Sequence, residues 1–191
     1  MGDWILRKAC ETAKAWEADG MGIMSVAVNF SGHQFMEKDV VDKIKKTMDE
    51  TGIQPSQLEV EVTESVFMED TDHSIKMLKA IQDLGVPIAI DDFGTGYSSL
   101  SYLQRFPMDK LKIDRAFVRH LDEQHDNLVL TKTILALCKT MGLKVVAEGV
   151  ERKEEEQILI DEGCDVVQGF RYAAPLPDAK FRKFVKGYNG S

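Results

Sequence analysis

The 191 residues are 43% hydrophobic and 29% charged, the make-up of one globular domain with enough apolar material for a core. Acidic residues outnumber basic ones by 32 to 24, for a net charge of −8, and the cations are scattered, which argues against a binder of nucleic-acid backbone, duplex DNA or RNA included. Three cysteines, Cys10, Cys138 and Cys164, lie in apolar surroundings without metal-type spacing and fit reduced residues of a cytoplasmic protein, and no apolar span approaches the roughly 20 residues that cross a membrane.

The chain starts with DWILRKACETAKAW, whose periodicity is that of an amphipathic helix and not of a leader. Five times thereafter a helical pattern stops at a glycine, at Gly20, Gly52, Gly85, Gly142 and Gly163, and an apolar strand pattern follows. Glycine ends helices because it enters the left-handed region without steric cost. In order, the strands are predicted at 22–30, 57–65, 86–93, 110–117, 143–150 and 165–172. Between them VVDKIKKTMDET (40–51), HSIKMLKAIQDL (73–84), NLVLTKTILALCKTM (127–141) and EEEQILIDE (154–162) carry apolar residues at helical spacing. The acidic run 154–156 reads as a solvated first turn. Strand and helix alternate without a linker, so one α/β domain is expected, with parallel strands and right-handed crossovers. An open doubly wound sheet and a (β/α) barrel both satisfy that pattern.

The strands end in polar groups: Asn29, Glu61, the adjacent pair Asp91 and Asp92, Lys112, Glu148 and Gln168. In a barrel such ends converge on one mouth. Two neighbouring carboxylates in a desolvated place are costly unless protonated or paired with cations, and a divalent ion removes the problem. The oxygen-only metal donor set of Asn29, Glu61, Asp91, Asp92 and Glu148 suits Mg²⁺ or Mn²⁺ and not zinc. Lys112 would then be a cation for phosphate or water, and Glu148 a general base. Each residue alone also has an ordinary reading: Asp-Asp before glycine is commonly a turn or cap, and Asn29 could cap the next helix.

The blocks VAVNFSGHQF (26–35), LEVEVTES (58–65), DDFGTGYSSLSYLQRFPMDKLKIDRAFV (91–118), KVVAEGVE (144–151) and QGF (168–170) resemble, in order and spacing, the EAL-domain family of cyclic di-GMP phosphodiesterases. The likeness implies a TIM-type (β/α) barrel that uses two Mg²⁺ or Mn²⁺ ions to hydrolyse cyclic di-GMP to pGpG in bacterial signalling. It implies metal ligation by Asn29, Glu61, Asp91, shared between the ions, and Asp92, with Lys112 holding the attacking water and Glu148 as general base. Gln168 matches the last-strand glutamine, and Glu151 a residue near the guanine base. Glu64 matches a glutamate that steadies the loop 93–99, a loop the family links to dimerisation and activation.

The Glu-Ala-Leu motif that names the family is not among the 191 residues, nor is the arginine that follows it. The expectation is therefore a single truncated domain, residues 1–191, with about six of eight strands. Two consequences are expected: impaired hydrolysis, and a homodimer or swapped assembly through unpaired strands. The alternative is a non-catalytic module that binds cyclic di-GMP or a protein partner.

Overall fold

The computed structural model describes residues 2–64, 66, 71–94 and 105–188. Six parallel strands form one sheet in chain order: β1 (Val26–Phe30), β2 (Leu58–Thr63), β3 (Ile88–Phe93), β4 (Lys110–Ile113), β5 (Lys144–Ala147) and β6 (Val166–Val167). A doubly wound sheet reverses its strand order at a switch point. None occurs here, so the wall is of the barrel kind. The sheet is not closed, and among the described residues β1 and β6 are its edges.

Helix α1 (Gly2–Ala18) precedes β1, and α2 (Gly32–Phe35) and α3 (Val40–Thr51) lead to β2. Helix α4 (Thr71–Asp83) precedes β3, α5 (Arg115–Val118) and α6 (His125–Met141) join β4 to β5, and α7 (Lys153–Asp161) joins β5 to β6. Helix α3 occupies the span its periodicity predicts. Gly52 and Gly142 end α3 and α6 as left-handed caps.

The strands are shorter than their apolar runs. β4 stops at Ile113 because Asp114 caps α5, its carboxylate accepting the Ala116 N–H at 2.8 Å. β6 keeps two residues and pairs with β5 alone. The last helix, α8 (Asp178–Gly187), has no counterpart in the sequence reading. It returns to α1: the Trp16 and Phe181 rings stack with centroids 4.6 Å apart, the Trp16 indole N–H donates to Asp178 at 2.7 Å, and Arg182 pairs with Asp19.

Alternation gives the sheet two unlike faces. Val28, Leu58, Val60, Val62, Ile88, Ile90, Leu111, Ile113 and Val145 point toward the helices and make the apolar core with Leu6, Ile44, Leu78, Leu135 and Leu159. The opposite face carries Asn29, Glu59, Glu61, Ala89, Asp91, Lys110, Lys112 and Val146. Branched apolar side chains usually fill a barrel interior; here it is largely ionic.

Candidate active site

The adjacent carboxylates owe their placement to a bulge. Ile90 pairs with Leu111 and Phe93 with Ile113, so between those rungs β4 has one residue, Lys112, and β3 has two, Asp91 and Asp92. In a regular strand the two side chains would point to opposite faces. The extra residue cancels that alternation, and Asp92 takes a left-handed φ of 56°, which aspartate tolerates better than most residues. Phe93 thereby stays in the core while Asp91, Asp92 and Glu148 offer carboxylate oxygens all within 4.8 Å of one another.

Lys112 is the hub. Its side chain, in a residue 5% exposed, reaches Glu61 at 3.0 Å, Asp91 at 3.1 Å and Glu148 at 2.8 Å. The reach to Glu61 crosses β3 where Ala89 leaves room. Below this layer Lys110 pairs with Glu59, again across β3. Burial alone would lower the Lys112 pKa, but bonds to Glu148 and Glu61 overcome it and hold the ammonium protonated. Desolvation raises the Glu61 pKa against the opposing pull of Lys112, and nearby Asp91 and Glu59 add to the rise. Asp92 is raised by desolvation and by the charges of Asp91 and Asp114.

Asn29 does not cap the next helix. That role falls to Ser31 in a capping box with Gln34, while the Asn29 amide donates to Glu61 at 2.9 Å from the neighbouring rung of β1. Glu64, just past β2, accepts the Gly94 N–H at 3.2 Å. Gly94 has φ 97°, and a Cβ there would come within 2.8 Å of the Phe117 ring, so the turn after β3 requires glycine. Residues 95–99 of the predicted loop lie outside the described residues.

Beside this cluster opens a depression of about 540 Å³, lined by Asp92, Asp114, Arg115, Arg119, Glu148, Glu151 and Gln168 among others. Glu151 pairs there with Arg119. Gln168 is fixed through its backbone, donating to the Ala147 carbonyl at 2.8 Å and accepting the Val150 N–H at 3.0 Å. A larger hollow of about 740 Å³ lies between β6 and α8, but its lining of Phe170, Leu176, Phe181 and Phe184 with few polar groups offers no chemistry.

Every residue singled out at a strand end thus faces one mouth, although the predicted metal set is not equally close. Asp91, Asp92 and Glu148 form the tight group, and Glu61 and Asn29 join through Lys112 and a hydrogen bond. Asp114, Arg115 and Arg119 escaped the sequence reading. Asp114 was findable, since it directly follows β4, two residues after Lys112.

The acidic run 154–156 is the first turn of α7, as expected, and Glu154 is exposed, but the expectation of a solvated turn is corrected at Glu155. Glu155 is 2% exposed, because three backbone N–H groups converge on its carboxylate.

The donor set fits divalent ions. Among the described residues, Glu61, Asp91, Asp92 and Glu148 set four carboxylates near the one ammonium of Lys112, a partly buried, acid-rich cluster of hard oxygens.

The family model described as "EAL domain" matches residues 1–175. The chain belongs to the EAL-domain family. This EAL domain is 43% identical over 185 residues to the signaling protein YkoW of Bacillus subtilis, covering 97% of the chain and 23% of YkoW. It is 37% identical to the cyclic di-GMP phosphodiesterase NbdA of Pseudomonas aeruginosa, covering 98% of the chain and 24% of NbdA. The chain therefore spans about a quarter of these relatives. Among solved structures, the PaMucR phosphodiesterase in complex with c-di-GMP superposes with a TM-score of 0.90 at 41% identity, over 94% of this EAL domain and 73% of that chain. A manganese and cyclic di-GMP complex of Klebsiella pneumoniae BlrP1 superposes at 0.77 with 32% identity, over 90% and 45%.

Proposed function

We propose that this EAL domain serves a bacterial signalling protein by hydrolysing cyclic di-GMP to pGpG with Mg²⁺ or Mn²⁺. The observation that carries the reading is the bulge that puts Asp91 and Asp92 opposite Lys112, beside Glu148. Asp91, Asp92, Glu61 and Asn29 would hold the cations, with Glu148 close enough to contribute. When bound, such ions polarise a phosphoryl oxygen and make a coordinated water a better nucleophile.

The chain's own residues supply the rest. Lys112, buried and protonated, is fixed by three carboxylates and can orient a water or a phosphate oxygen without losing its proton. Glu148, at 2.8 Å from that ammonium, is placed to take a proton from the water Lys112 holds. Glu64 steadies the turn that follows the two aspartates. Arg119, Glu151 and Gln168 face the depression where the dinucleotide would lie. The test is pGpG formation from cyclic di-GMP with Mn²⁺ or Mg²⁺. Metal-dependent product that disappears on chelation supports the reading, and product formed equally without metal opposes it.

The open sheet favours a second reading. Asn29 stands on an edge strand and is exposed, so one side of the mouth is open to water. Turnover by these residues alone should then be low, and a role as a dinucleotide-binding or protein-interaction module becomes the alternative. Saturable binding of cyclic di-GMP without cleavage would select it. The unpaired edges and the exposed Ile23, Val166 and Phe170 also support a homodimer or swapped assembly, which sedimentation would test. No helix among the described residues is long and apolar enough to cross a membrane, and we place the domain in the cytoplasm with its nucleotide substrate.

A further inference from the structure

Glu155 does more than cap its helix. As the third residue of α7 it accepts the Arg152 N–H at 3.0 Å, the ordinary bond of a capping box. Two further bonds have no such purpose. The same oxygen accepts the Glu151 N–H at 2.9 Å, and the other oxygen accepts the His120 N–H, also at 2.9 Å, from a loop 35 residues away. His120 has φ 59°, a left-handed conformation that is uncommon outside glycine, although histidine enters it more readily than most residues. Arg152 grips that loop a second time through Asp122 and Glu123.

The two loops so joined are the ones that carry Arg119 and Glu151 into the depression, where they pair with each other. A buried carboxylate that takes three backbone N–H groups from two segments acts as a fastener, since releasing it would strand those donors. We propose that Glu155 is a positioning residue that fixes the far wall of the depression, holding Arg119 and Glu151 in place and so setting dinucleotide affinity without touching the dinucleotide or the metal cluster. The affinity part rests on the cyclic di-GMP reading; the positioning part does not.

The test uses E155A and E155Q with three measurements: amide hydrogen exchange at His120, Glu151 and Arg152, Mn²⁺ affinity by calorimetry, and cyclic di-GMP affinity in calcium, with product assayed alongside so that any turnover is corrected for. In E155A exchange at all three amides should speed up and dinucleotide affinity should fall about tenfold, the equivalent of one lost hydrogen bond. Mn²⁺ affinity should stay within about twofold. Gln keeps a single acceptor oxygen, so E155Q should retain protection at Glu151 and Arg152 and lose it at His120, with a smaller drop in affinity. E155Q also carries the test if E155A does not fold. Unchanged exchange in the variants would overturn the positioning role. A parallel fall of Mn²⁺ affinity would reduce Glu155 to general scaffolding and also overturn it. If the wild type fails to bind cyclic di-GMP, the functional reading and the affinity part fall together, while the exchange data still decide the positioning part.

Discussion

The Lys112 ammonium lies 2.8 Å from the Glu148 carboxylate, joining β4 to the turn after β5 across the mouth. The same ammonium contacts Glu61 and Asp91, so its removal takes from these three carboxylates the cation they share. K112M should lose about 3–5 kcal/mol of stability in chelator, the usual cost of breaking a buried pair. Added Mn²⁺ should restore part of that loss while hydrolysis stays at least about a hundredfold down. Denaturant melts with and without Mn²⁺ check the first half, and product assays the second.

The bulge separates backbone from charge at position 92. Asn tolerates the left-handed φ of 56° and removes the carboxylate, whereas Val strains the backbone. D92N should keep its stability within about 0.5 kcal/mol and bind Mn²⁺ more weakly. D92V should in addition lose about 1–3 kcal/mol. Thermal melts of the pair decide the matter, and equal stabilities would contradict the left-handed assignment.

Behind the pair, Gly94 turns the chain under Glu64. Gly94→Ala meets both a φ of 97° and the Phe117 ring, so a loss of about 1–3 kcal/mol is expected. For a chain of this size that is a fall in Tm of about 2–4 °C per kcal/mol. Calorimetric melting provides the check.

Glu155 gives a pH signature. Burial would raise its pKa, but the N–H bonds from Glu151, His120 and Arg152 outweigh it and hold the carboxyl below the usual glutamate range. A lowered folded pKa means that the stabilisation is complete above the unfolded value of about 4.3 and is lost as the pH falls through the folded one. The stability difference between wild type and E155Q should therefore be constant near neutrality and shrink on acidification below about pH 4.3. Urea melts of both proteins along a pH series measure it.

Much of this was legible in the residues, for physical reasons. Alternating Val and Ile runs ending in Asn29, Glu61, Asp91, Lys112 and Glu148 reported both the strands and their shared end, because the C-terminal ends of parallel strands lie on one side. The bulge was not legible. Asp-Asp-Phe-Gly reads alike for a turn and for a bulged strand, and only the pairing of Phe93 with Ile113 shows the extra residue. Burial of Glu155 escaped because a run of three glutamates at a helix start is ordinarily solvated, and its third partner, His120, is distant in sequence. Helix α8 escaped too, although Phe181, Phe184 and Val185 have helical spacing, since its apolar side is satisfied by Trp16 from the opposite end of the chain.

The central claim is that oxygen donors on separate strands hold a divalent cation at the barrel mouth. Calorimetric titration with Mn²⁺ of the wild type, D91N and E61Q tests it directly. Saturable binding by the wild type, at least tenfold weaker in D91N and reduced in E61Q, is the expected result, with a stability gain of about 2.7 kcal/mol at a hundredfold excess over Kd. A wild type that binds no Mn²⁺, or variants that bind it equally well, would contradict the account.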